Sequence, residues 1–147
     1  SKVVLQDKDY IKLGKTNVYF STEVLNSPPK IIDFTVNPIS DYNINDLISP
    51  RDILYKFFSD DNTIKQIHEI ARQKFELIDD ISDMIKINLD AALNEAIGNA
   101  QKHGHKYNSE LPIEFRYIHK SDKLIMQVTD QGEGFLRWWT CKKYRYG

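Results

Sequence analysis

LDAALNEAIGNAQKHG, residues 89–104, is the stretch whose reading decides the rest of the chain. Apolar residues recur at Ile85, Leu89, Ala92, Leu93, Ala96, Ile97 and Ala100, the spacing of one buried stripe on a helix. Glu95 and Asn99 lie beside that stripe, four residues apart, so they share a face and can converge on one ligand. His103 follows at the next step of four. Gly104 stands where helices commonly stop, because glycine accepts the left-handed backbone of a C-terminal cap. The pattern predicts a long helix from about Asp83 to His103.

Downstream, His105 to Glu110 reads as a loop. Ile113, Phe115 and Tyr117 alternate with Glu114 and Arg116, a half-buried strand, and Lys123 to Thr129 (KLIMQVT) is the next. The short polar turn His119-Lys120-Ser121-Asp122 makes them antiparallel neighbours. The second strand runs into Asp130-Gln131-Gly132-Glu133-Gly134.

Upstream, Asp79 to Ser82 interrupts the helical pattern. Before it, Ser59 or Asp60 caps a helix with the stripe Ile64, Ile67, Ile70, Ala71 and Phe75. His68 borders that stripe and reads as a helix-surface histidine, since no partner stands at metal-ligand spacing. Ser49-Pro50 suits the start of a short helix with Ile53, Leu54, Phe57 and Phe58 on its apolar side. Residues 40–50 read as a polar connecting loop without the ligand spacing of a calcium-binding EF-hand. Ile31 to Val36 (IIDFTV) is a strand closed by Asn37-Pro38, and Asn26-Ser27-Pro28-Pro29 is a turn. Val18, Phe20 and Val24 suggest a further strand. Residues 1–15 read as a loose end or a short edge strand. The expected architecture is α+β: a two-layer sandwich with a mixed, mostly antiparallel sheet and three helices on one face.

Bulk properties narrow the function. The 147 residues suit one domain with a proper core. A formal net charge of −1 with 28% charged residues favours neither nucleic acid nor an acidic membrane as a partner. The single cysteine, Cys141, cannot form an internal disulfide and suits a reducing compartment. No apolar run approaches a membrane span, and residues 1–14 lack a signal-peptide core, so a cytoplasmic protein is expected.

The residue types themselves suggest nucleotide chemistry. Asn99 offers a neutral oxygen to a hard cation such as Mg²⁺, which otherwise keeps water and phosphate ligands. Glu95 can accept the proton of an attacking hydroxyl or water. Asp130, at a strand end, can accept a hydrogen bond from an exocyclic amine such as that of adenine. Gly132 and Gly134 let backbone pass close to a flat ring. Taken alone, Asp130–Gly134 is an ordinary tight turn, and Glu95 with Asn99 is an ordinary solvated shoulder; their combination and order favour a site. His103 and His105 read as positive charge at a helix end rather than a metal site. Lys102 suits either a phosphate or solvent.

The combination resembles the histidine-kinase-like ATPase superfamily, and within it the bacterial anti-sigma factors that are serine/threonine protein kinases. The resemblance spans residues 60–135 well and 16–38 loosely. Glu95, Asn99, Ala100 and His103 fit the family's first box, E-x-x-x-N-A-x-x-H; Asp130, Gly132 and Gly134 fit its second, D-x-G-x-G. It implies a Bergerat-type sandwich binding ATP and Mg²⁺ between the long helix and the glycine turn. Glu95 would be the catalytic base, Asn99 the Mg²⁺ ligand, and His103, Asp130, Gly132 and Gly134 further nucleotide contacts. The implied partners are a sigma factor and an anti-anti-sigma protein. The usual phospho-accepting histidine of sensor kinases has no counterpart here.

The family pattern would continue beyond Phe135 through a lid to a second glycine-rich segment. Residues 136–147, LRWWTCKKYRYG, hold neither, so the domain reads as C-terminally incomplete and ATP turnover is expected to be impaired. The alternative is a non-catalytic protein-binding module on a degenerate ATPase scaffold. The tail's basic residues alternate with Trp138, Trp139, Tyr144 and Tyr146, which could stack on bases or a membrane interface, or form an edge strand. The favoured reading is an intermolecular contact that hides the tryptophans and makes a homo-oligomer.

Overall fold

Alternation along residues 112–129 builds the centre of the sheet. The computed structural model describes residues 10–13, 16–19, 28–79, 81–104, 108–120, 123–130 and 136–142. In β5 (Pro112–His119) Ile113, Phe115 and Tyr117 are buried on one face. β6 (Lys123–Thr129) pairs antiparallel with it, Phe115 opposite Val128 and Tyr117 opposite Met126. β6 has the predicted bounds, whereas β5 runs on to His119, which pairs with Leu124 although the sequence reading placed it in the turn.

Residues 50–58 correct the sequence reading. The expected helix there is β4 (Asp52–Phe58), antiparallel to β5 with Ile53 opposite Tyr117 and Tyr55 opposite Phe115. Ile53, Tyr55 and Phe57 are all fully buried. The same residues fit a helical stripe and a period of two, and over seven residues length favours the strand. Ser49 and Pro50 do not open a helix; they follow one. α1 (Ile44–Ile48) lies within the expected loop, capped by Asn43 and ended at Ser49. Proline just past a helix end is the common arrangement, because it cannot continue the hydrogen-bond ladder. A 3-10 turn, Ile39–Asp41, precedes α1.

β3 (Lys30–Asp33) runs parallel to β4, and the chain turns at Phe34, earlier than IIDFTV suggests. Asp33 explains the early end: its carboxylate accepts from the Thr35 backbone N–H at 2.9 Å, a local bond that competes with the ladder. β1 (Tyr10–Leu13), β2 (Thr16–Tyr19) and β7 (Leu136–Lys142) complete a seven-stranded sheet in the order β1-β2-β7-β6-β5-β4-β3. Among the described residues only the β3–β4 pairing is parallel. The tail is therefore not an edge strand, since β7 pairs with β6 on one side and β2 on the other. Trp138 and Trp139 lie on β7, and their side chains are outside the described residues, as are residues 143–147.

Two long helices cover one face. Asp60 caps α2 (Asp61–Glu76), accepting from Thr63 N–H at 3.0 Å. Ser82 caps α3 (Asp83–Asn99), accepting from Ile85 N–H at 3.2 Å. Ile67, Ile70, Ala71 and Phe75 of α2 and Leu89, Leu93, Ala96 and Ile97 of α3 join the inward residues of β4, β5 and β6 in one core. Leu93 is 1% exposed, so truncation to alanine would cost about 2–5 kcal/mol. α1 contributes Leu47 to the same core, and the Tyr55 hydroxyl donates to its carbonyl. The molecule is thus α+β, with a mixed sheet and helices layered on it. Among the described residues no helix is long and apolar enough to cross a membrane.

Candidate nucleotide-binding site

α3 ends sooner than its sequence pattern predicts. The α-helix ends at Asn99, with the Ala100 N–H still bonded to the Ala96 carbonyl, and Ala100–Gly104 forms a π-turn. A π-turn carries more residues per turn than an α-helix, so residues after Asn99 leave the four-residue row of Glu95 and Asn99. The backbone of His103 is therefore off the row on which the sequence placed it, and Gly104 closes a π-turn rather than capping an α-helix. The His103 side chain lies outside the described residues, as do His105 and residues 131–135, which include Gly132 and Gly134.

The direction of α3 over the sheet locates the other predicted residues. Its first half faces the β5–β6 turn: Ile85 and Leu89 share a cavity with His119, Lys123 and Leu124. Its far end reaches the opposite edge, where Gln101 Nε2 donates to the Ser59 carbonyl at 3.0 Å and to Asp61 Oδ1 at 3.1 Å. Phe58 pairs with Pro112 and Glu114 with Thr129, so the end of β4, the start of β5 and the end of β6 share that edge. Asp130 follows β6 directly. Glu95, Asn99 and Asp130 therefore belong to the same end of the sandwich. β4 and β6 are two strands apart, about 10 Å.

Glu95 is exposed, Asn99 half-buried and Asp130 buried. Exposure suits a carboxylate that meets a substrate from solvent. Asp130 is already engaged with a neighbouring group. Asn99 supplies one neutral oxygen, and Mg²⁺ held there would rely on phosphates and water for its remaining positions. Among the described residues no group of three or more His, Cys, Asp or Glu is placed to hold a metal without such help. Lys102 is exposed in the π-turn.

Comparison with protein-family models, curated proteins and solved structures finds no match to this chain.

The cavity at the other end of α3 is a different place. It is a small, partly open hollow in which Ile78, Ile81, Ile85 and Leu89 form apolar walls beside Lys120 and Lys123. Among the described residues no carboxylate lines it, and it lies away from Glu95 and Asp130.

Three buried polar groups escaped the sequence reading. Lys74 is 2% exposed, with Nζ donating at 2.7 Å to the carbonyls of both Ile48 and Pro50 and lying 4.5 Å from the ring centroid of Tyr117. Burial lowers its pKa to about 8. Its spacing was a usable signal, because Lys74 follows Ile67 by seven, Ile70 by four and Ala71 by three, squarely on the apolar stripe. His68 is buried, not on the surface as expected, and neither ring nitrogen has a hydrogen-bond partner. Burial lowers its pKa; Asp90 opposes that shift and Arg72 adds to it. Arg116 is buried on the sheet face away from Ile113 and Phe115, and makes a bidentate pair with Asp52 at 3.1 and 3.0 Å. This makes Lys74 and Arg116 structural ties rather than parts of the candidate site.

Proposed function

We propose that this chain is an ATP-binding domain of the anti-sigma-factor serine/threonine kinase type, acting in the cytoplasm on bacterial transcription by partner switching. Its sigma factor and anti-anti-sigma partner follow from the resemblance alone. The supporting observation is the element order: a strand, two helices with Glu95 and Asn99 ending the second, then two antiparallel strands with Asp130 at the end of the last. That order, with all three side chains at one end of the sandwich, suits a Bergerat-type nucleotide site. Asn99 would carry Mg²⁺, Glu95 would act as base, and Asp130 would read the adenine amine, with His103, Gly132 and Gly134 completing the contacts.

Within these 147 residues the triphosphate would lack a second glycine-rich segment. Its transfer depends mainly on positioning and charge stabilisation, so turnover would be weak even with nucleotide bound. A non-catalytic binding module is the second reading. It is favoured by the burial and engagement of Asp130, which leave less of the carboxylate for an incoming base.

Thermal unfolding with and without Mg-ATP tests the proposal. A ligand at 100 times its Kd stabilises the folded state by about 2.7 kcal/mol. A rise in Tm that Asp130→Ala removes supports nucleotide binding. No shift at millimolar Mg-ATP overturns it and leaves the non-catalytic module.

A further inference from the structure

α2 and α3 run antiparallel, and three polar contacts fix their register: Asp61 with Gln101 at 3.1 Å, Arg72 with Asp90 at 3.3 Å and Glu76 with Lys86 at 3.1 Å. Eleven residues from Asp61 to Arg72 match eleven back from Gln101 to Asp90, and four on to Glu76 match four back to Lys86. The seam therefore sets His68, one turn before Arg72, opposite Asn94, one turn after Asp90. His68 is 7% exposed, and neither ring nitrogen has a hydrogen-bond partner. Asn94 is exposed.

A neutral imidazole can stay packed in this seam. A charged one carries two N–H donors and needs an acceptor. The charges that shift its proton affinity are Asp90, across the seam, and Arg72, on its own helix. Asp90 already accepts from Arg72 Nε, and Glu69 pairs with the same guanidinium at 3.5 Å. Lys65 and Glu95, exposed on the two helices, are not among those charges. Nor are Asp46, Asp52 and Lys56 of α1 and β4, the other elements in contact with α2. A proton on His68 therefore puts a buried cation beside Arg72, with its nearest carboxylate taken, and such a charge is costly unless the site opens.

The stretch of α3 beyond Asn94 has its own weak points. Gly98 stands inside the helix, where glycine is unfavourable compared with alanine, and a Cβ built there would meet nothing within 4 Å. Regular α-helix then gives way to the π-turn at Ala100. We propose that the His68–Asn94 level of the α2–α3 seam is a proton-operated latch: acid charges His68, parts the helices there, and frees the end of α3 while the sheet stays folded. Glu95 and Asn99 both lie on the freed stretch. The latch does not depend on nucleotide binding.

Opening exposes the ring to water, where its pKa is about 6.5, whereas burial holds the closed ring lower. From pH 7 to pH 5 the opening constant should therefore rise by up to about 25-fold. Native-state amide hydrogen exchange of the full 147-residue chain, at both pH values and in low urea, tests this. Amides of residues 95–99 should exchange through openings that urea barely accelerates, and those openings should become about 10- to 25-fold more frequent at pH 5. Amides of β5 and β6 should exchange only by global unfolding, which urea accelerates steeply. His68→Leu should hold the change at residues 95–99 to within about 3-fold. Asn94→Asp, which sets a carboxylate opposite the ring, should remove or reverse the rise, because the charged ring then has an acceptor in the closed state. Exchange of residues 95–99 only together with β5 and β6 overturns the latch. A rise that survives His68→Leu overturns the role of His68, and a rise that survives Asn94→Asp overturns the pairing across the seam.

Discussion

Replacing Lys74 by methionine probes the most deeply buried charge among the described residues. The ammonium ties α2 to the end of α1 and the residue beyond it through two 2.7 Å hydrogen bonds, and sits over Tyr117 of β5. Hydrogen bonds from a charged donor contribute about 1.5–3 kcal/mol each, and the ring contact about 0.5–2 kcal/mol. Against this stands desolvation. The fall in pKa from 10.5 to about 8 corresponds to about 3 kcal/mol against the charged form. Methionine removes that penalty and fills similar space, but leaves the Ile48 and Pro50 carbonyls without this donor, at about 1–3 kcal/mol each. Lys74→Met should therefore lower stability by about 2–4 kcal/mol at pH 7, read by urea unfolding.

The pH dependence supplies an independent signature. Between pH 8 and 10.5 the unfolded chain keeps a proton on Lys74 that the folded chain has released. Stability rises with pH wherever the unfolded state holds more protons. The parent should therefore gain on the variant by up to about 3 kcal/mol across that window, and the difference should be constant below pH 8, where both states are charged. Tyrosine ionisation is common to both proteins and cancels. A variant as stable as the parent would refute the Lys74 ammonium as a stabilising tie, and a difference that stays flat from pH 8 to 10.5 would refute the lowering of its pKa by burial.

His68→Leu removes an imidazole with no partner for either nitrogen, and should raise stability by about 1–2 kcal/mol at neutral pH. Its lowered pKa means the unfolded state takes up the proton first as pH falls below about 6.5, so the parent loses stability there and the variant loses less; Tm values at pH 5 and 7 check both. Gly98→Ala should stabilise the fold by about 0.8–1.0 kcal/mol, because the new Cβ meets nothing, and unchanged urea unfolding would contradict that. The purified chain should show little ATP hydrolysis in a phosphate-release assay, and readily measured turnover abolished by Asn99→Ala would overturn the expectation of weak transfer.

Local pattern alone determined much of this molecule. The cap at Ser59 or Asp60, the start of α3 near Asp83, the stripes of α2 and α3, and the β5–β6 hairpin each follow from spacing within a few residues; the structure selects Asp60 as the cap and keeps the faces. Residues 52–58 show where that reasoning ends. Ile53, Leu54, Phe57 and Phe58 satisfy a helical stripe, while Ile53, Tyr55 and Phe57 satisfy a strand, and pairing with β5 decides between them because the strand's backbone groups find partners there. The candidate site divides the same way. Sequence named Glu95, Asn99 and Asp130, but only the path of α3 across the sheet brings them to one end, and only the π-turn moves the backbone of His103 off their row. Lys74 shows its inward direction by its spacing on the stripe of α2, but its carbonyl partners, and the burial of His68 and Arg116, were tertiary outcomes: a polar residue's depth depends on what packs over it, and those neighbours lie far away in the chain.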